Sequence, residues 1–172
     1  MKISNVRANG RRRAFEVSSG RYTYLFPFVK ADPRPSGSNP VVDVAADTEL
    51  GSEAFTYVLA SGDEGTIHLD SVREINREPK YMADLLLYKL SVEASHRLSE
   101  SGRTARDIAN ELGTSPAQLY RLIDATNYSK SFRQLATLLS ILGYSIDVSV
   151  RPSVSSRHKV VVGKIRNTRV GV

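Results

Sequence analysis

The sequence predicts an α+β protein. Residues 1–78 read as a β-rich N-terminal domain of hairpins, and 79–150 as an all-α domain of four to five helices closed by a C-terminal strand. Two observations predict this. Up to about residue 75, apolar and polar residues alternate between Gly-, Ser- and Pro-rich turn signals, the period of half-buried strands. From Pro79 onward, apolar residues recur at three- and four-residue spacing, in segments opened by hydroxyl side chains and closed by glycine. Charge sets off a third stretch, a basic tail over 151–172.

The elements follow in order. Ala14-Phe15-Glu16-Val17 alternates, Ser18-Ser19-Gly20 is a turn signal, and Arg21-Tyr22-Thr23-Tyr24-Leu25-Phe26 is the second arm of a hairpin. Alternation puts Tyr22, Tyr24, Phe26 and Phe28 on one side. That stripe reads first as core packing, with a stacking or partner surface as the alternative. Ala31 to Pro40 is a loop by its Pro, Gly, Ser and Asn content. Val41-Val42-Asp43-Val44 is a short strand. Phe55–Leu59 and Thr66–Leu69 flank Ser61-Gly62-Asp63-Glu64-Gly65 as a second hairpin. Such hairpins need a partner surface to be stable.

Pro79 suits a first helical turn, and nothing breaks a helix from Lys80 to Ser101. Met82, Leu85, Leu86, Leu90, Ala94 and Leu98 mark its apolar face, Gly102 its end. One rod and two pieces broken near Ser91 both fit. Thr104 with Asp107 opens a helix that ends at Gly113. Ser115-Pro116-Ala117-Gln118 opens the next, with Ser115 as cap, Pro116 at the first position and Gln118 as reciprocal capping residue. Ser131 with Gln134 opens a third, which stops at Gly143. Tyr144 to Val150 alternates strictly and predicts a strand. Residues 158–162 allow one more.

Composition narrows the function. Cysteine is absent, which removes disulfides, thiolate metal sites and thiol catalysis and fits a cytoplasmic protein. No apolar run approaches the roughly 20 residues that span a bilayer, and no secretory signal is expected, so neither is a membrane partner. The net charge is +6, unevenly spread. Residues 1–30 hold seven Lys or Arg against one acid, 31–78 three against ten, 79–150 eight against seven, and 151–172 six against none. Basic ends point to a polyanion, or simply to solubility. Arg11-Arg12-Arg13 is either a phosphate-gripping arm or a solvated turn. His68, His96 and His158 lack metal-ligand spacing, and Asp47, Glu49, Glu53, Asp63, Glu64 and Asp70 read as solvated loops. No Gly-x-Ser-x-Gly, P-loop or dinucleotide fingerprint occurs, so neither an enzyme nor a cofactor is expected.

One stretch points to a specific partner. In Thr104–Leu122, Ile108 and Ala109 face inward on the first helix, and Ala109 is small where a second helix crosses. Gly113 permits a sharp turn, and Leu119 and Leu122 face inward on the second helix. With Leu112-Gly113-Thr114-Ser115, Leu119-Tyr120-Arg121-Leu122 and the later Phe132-Arg133-Gln134-Leu135-Ala136-x-Leu138-Leu139-x-x-Leu142-Gly143, residues 90–142 resemble the lambda-repressor-like, or xenobiotic-response-element, family of helix-turn-helix domains. The last piece is similar to the fourth helix of members that end in an added strand, including many antitoxins. The N-terminal part resembles small uncharacterised β domains that precede such domains.

The resemblance implies double-stranded DNA as partner, with the second motif helix in the major groove. It puts Ser115, Ala117, Gln118 and Arg121 nearest base edges, with Tyr120 beside them. Arg121 would pair with a guanine, worth about 1–3 kcal/mol of discrimination, and Ala117 would meet a thymine methyl. Ser115 or the helix amides, Arg106 and Lys130 would hold phosphates. Where many members carry Gln, this chain has Ala105, Pro116 and Ala117, which thins direct base reading and shifts weight to DNA shape. The expected function is a transcriptional regulator, a repressor, acting as a homodimer through 144–150 or helix 80–101. Its N-terminal domain would then take a small ligand or a protein. The alternative is an antitoxin or adaptor that binds a protein and autoregulates its operon, or, without DNA, a plain interaction module.

Overall fold

The computed structural model describes residues 1–150 and 161–162. The rest of the basic tail, with most of the strand expected at 158–162, lies outside the described residues. The fold is α+β, and the described chain divides after Glu78 into two compact units. Among the described residues no helix is long and apolar enough to cross a membrane.

The first unit holds two small antiparallel sheets. β1 (Ile3–Asn9), β2 (Ala14–Ser19) and β3 (Tyr22–Pro27) form one, with the two-residue β7 (Val161–Val162) beside β3. β4 (Val41–Asp47), β5 (Ala54–Leu59) and β6 (Glu64–His68) form the other. The β2–β3 register sets Phe15 opposite Phe26 and Val17 opposite Tyr24. The two sheets share one core, so each hairpin supplies the surface the other lacks. Phe15 sits at its centre, its ring 4.9 Å from Phe28, 5.0 Å from Phe55 and 4.8 Å from Tyr57. Tyr24, Phe26 and Phe28 are buried and Tyr22 packs against the core, so the aromatic stripe is packing. The Tyr57 phenol donates to the Pro33 carbonyl at 2.5 Å, and burial pushes its pKa up to about 12.

Three features depart from simple alternation. β1 buries only Ile3 and Val6, spaced by three across a bulge, so its sequence carries no period of two. α1 (Leu69–Ile75) follows β6 directly, capped by His68, whose Nδ1 accepts from the Asp70 N–H at 3.3 Å. The strand expected over Thr66–Leu69 therefore ends at His68, and Leu69 with Val72 becomes the inner face of a helix. Glu16, read as the polar half of an alternating strand, is buried. Arg7 Nε donates to it at 2.7 Å and Asn9 Nδ2 at 2.8 Å, and Arg12 stands 3.6 Å away. Those partners replace the water the carboxylate lost.

The second unit is helical. α2 (Pro79–Glu100) is a single rod, so no break occurs near Ser91. Ser91 is instead buried on its inner face, donating to the Leu87 carbonyl at 2.6 Å. α3 (Ala105–Glu111), α4 (Pro116–Ile123) and α5 (Phe132–Ile141) close a core of Ala94, Ile108, Ala109, Leu119, Leu122, Leu135, Leu138 and Leu139. The C-terminal strand expected over 144–150 does not form in this chain. Its alternation is real, with Ile146 packed against the core and Val148 and Val150 exposed. A strand also needs a neighbouring edge for its backbone groups, and neither described sheet includes this segment.

Candidate nucleic-acid interface

α3 and α4 are joined by a turn built from three local devices. Thr104 Oγ1 accepts from the Asp107 N–H at 3.2 Å and donates to the Asp107 carboxylate at 2.6 Å, fixing the start of α3. At its end Gly113 takes φ 70°, a left-handed conformation that costs glycine nothing. This lets the Thr114 N–H reach the Ala109 carbonyl at 2.8 Å and reverses the chain. Ser115 then caps α4, accepting from the Gln118 N–H at 3.2 Å. Ala109 is fully buried under α4, where a larger side chain would hold the helices apart.

These devices orient α4. Leu119 and Leu122 point into the core, while Ser115, Ala117, Gln118, Tyr120 and Arg121 are all exposed. The Gln118 side chain makes no reciprocal capping bond, so among the described residues its amide is unengaged. Likewise Ser131 caps α5 without a side-chain hydrogen bond, and Gln134 remains open. Pro116 has no N–H and Ser115 takes that of Gln118, which leaves the Ala117 N–H as the amide of the first turn open to an anion.

Beside α4 lies a polar cleft of about 320 Å³, lined by Thr114, Gln118, Arg121, Asn127, Ser129, Lys130 and Gln134 over Leu112 and Leu122. It brings together three of the expected contact residues, Gln118, Arg121 and Lys130. Arg106 stands exposed on α3, outside the cleft. Lys130 is not a free cation. Its ammonium donates to Ser91 Oγ at 2.6 Å and to the Asp124 carbonyl, and burial holds its pKa below the ordinary lysine value. It therefore bolts the 124–131 loop to α2. Asp124 beside it is turned to Thr126, whose N–H and hydroxyl donate at 2.9 and 2.8 Å and keep its carboxyl below the usual range.

The arginines of the unit divide into paired and unpaired ones. Arg97 pairs with Glu93 at 2.7 Å and Glu100 at 2.9 Å, and Arg103 with Glu111 at 2.5 Å. Arg106, Arg121 and Arg133 have no acidic partner among the described residues. Asn127 and Ser129, in the cleft lining, are additions to the expected set. Nothing in sequence marked the cleft, which depends on how the 124–131 loop returns past α4. Comparison with family models, with curated proteins and with solved structures finds no match for this chain.

Proposed function

We propose that the helical unit binds double-stranded DNA with α4 in the major groove, and that the protein is a transcriptional regulator of the repressor type. The observation that carries this is the outer face of α4. Five small or polar side chains, Ser115, Ala117, Gln118, Tyr120 and Arg121, stand in solvent there, and apart from the Ser115 cap none is used by the fold. A helix held along one side by Leu119, Leu122 and the half-buried Ile123, with a cap at each end, is presented on its other side.

In this reading Arg121 and Gln118 meet base edges, since a guanidinium matches guanine and an amide matches adenine. Ala117 and Tyr120 make apolar contacts. Arg106, Arg133 and the Ala117 N–H hold phosphates, and Lys130 acts only through the loop it fixes. With few side chains suited to base edges, DNA shape carries much of the specificity. A homodimer placing two α4 helices one helical turn apart, about 34–36 Å, supplies the affinity that one short helix lacks.

The test is selection of bound sequences from random duplexes at physiological salt, with Arg121→Ala in parallel. The native chain enriches a two-part site. The variant loses about 1–3 kcal/mol and its preference at one base pair per half-site. Indifference to duplex DNA at low salt, or an unchanged preference in the variant, removes this function.

A further inference from the structure

We infer that the first unit carries a binding site for a small amphipathic anion, in the depression between the β1–β2 turn and the 36–41 loop. This gives a location and a chemistry to the ligand expected of the N-terminal domain, and it stands apart from DNA binding by the other unit.

Three observations converge. The depression measures about 510 Å³, within the size range of small-ligand sites, and is floored by apolar side chains, Phe28, Val41 and Ala8. Its rim carries one charge, Arg13. The neighbouring arginines are spent differently: Arg7 and Arg12 both turn to the buried Glu16, and Arg13 has no partner among the described residues. The lining therefore offers an apolar body a surface and an oxyanion head one unpaired guanidinium.

Arg13 is also held in place. Its N–H reaches the Gly10 carbonyl at 3.3 Å, and its own carbonyl accepts from the Phe28 N–H at 2.8 Å. Pinned on both sides, it adopts φ 50°, a left-handed conformation that side-chain-bearing residues adopt at a cost. Strain of this kind gathers at ligand sites, and here it sets the direction in which the side chain leaves the turn. Gly10 and Gly37 complete the lining without narrowing it. A Cβ at either meets no atom within 4 Å, and neither has a positive φ. Both positions, at the edge of the depression, thus accept a side chain without meeting an atom of the fold.

The test uses the full chain and two fluorescent probes of one shape, the anion 1-anilinonaphthalene-8-sulfonate and its uncharged parent N-phenyl-1-naphthylamine. Both are expected to bind at one site. Arg13→Asn, a residue that tolerates positive φ, weakens the sulfonate at least tenfold and leaves the parent within twofold. Gly37→Phe and, separately, Gly10→Leu abolish both signals while the thermal midpoint holds. Titrations unmoved by both plugging variants overturn the site, as does absence of binding. An equal response of the two probes to Arg13→Asn overturns its preference for anions. Duplex affinity measured on the same samples keeps failure here separate from failure of the DNA reading.

Discussion

Glu16 shows how one residue can reverse the face expected of it. A carboxylate in a strand is a polar marker, and alternation sends it to solvent. Here it lies under the β1–β2 turn with two hydrogen bonds and two guanidiniums around it. Hydrogen bonds from Arg7 and Asn9 hold its pKa below the ordinary 4.5 against the opposing effect of burial. The folded state thus releases the proton more readily than the unfolded one. Its contribution is complete above pH 4.5 and is lost as the pH falls through the lower folded value. Glu16→Gln keeps the volume and removes the charge. We expect it to cost about 1–2 kcal/mol at pH 7, a modest figure because the arginines it pairs with stand in solvent, which screens the pair. The cost should shrink as the solution is acidified below pH 4. Urea denaturation of both proteins at pH 7 and pH 3 checks this, and equal differences at the two pH values would contradict it. Lys130 makes the complementary point: a cation marked for phosphate by its place after α4 is spent inside the fold on Ser91.

At the scale of elements, the sequence was legible wherever an element carries its own signals. Thr104, Gly113, Ser115 and Gly143 mark helix ends through backbone groups they satisfy or conformations they permit, so α3, α4 and α5 are readable without knowing what they pack on. So were the outward residues of α4, because Leu119 and Leu122 fix its inner face by spacing alone. Elements defined by their partners were not legible. β1 and α1 are short, each buries two side chains, and their place is decided by the core they join. Residues 144–150 fail in the opposite sense, carrying a strand's period while joining neither described sheet. Gly65 is another case. In sequence it belongs to a hairpin turn, yet it sits in β6 opposite Tyr57, and a Cβ built there runs into the Tyr57 ring. That ring is fully buried and tied by its hydroxyl to Pro33, so it cannot swing aside. Gly65→Ala should therefore destabilise the first unit by about 1–3 kcal/mol, the cost of overpacking. A loss below about 0.5 kcal/mol in denaturant melts, the level of an ordinary surface change, would show that the ring gives way.

For the whole molecule, the apolar surface left over in the helical unit bears on the proposed dimer. Val148 and Val150 are 72% and 91% exposed in a segment whose alternation implies a paired face. On α2, Leu86, Tyr88 and Val92 are 52%, 44% and 44% exposed. A second copy answers both at once. Two 144–150 segments can pair edge to edge about a two-fold axis, which satisfies the backbone groups of both and is self-complementary by symmetry. The same two-fold is what two α4 helices need to meet successive major grooves. The expected mass by light scattering at micromolar concentration is twice the chain's 19.0 kDa. Val148→Asp with Val150→Asp puts like charges across the axis and should return it to one chain. The variant should keep its helical content, since neither residue touches the core, yet lose most of its duplex affinity. Its dependence on log salt concentration should flatten in proportion, because each phosphate contact given up removes nearly one unit of slope. A native chain that stays at 19.0 kDa with and without duplex leaves the two exposed faces without this explanation, and a variant that still binds duplex with the native salt slope shows that a single α4 suffices.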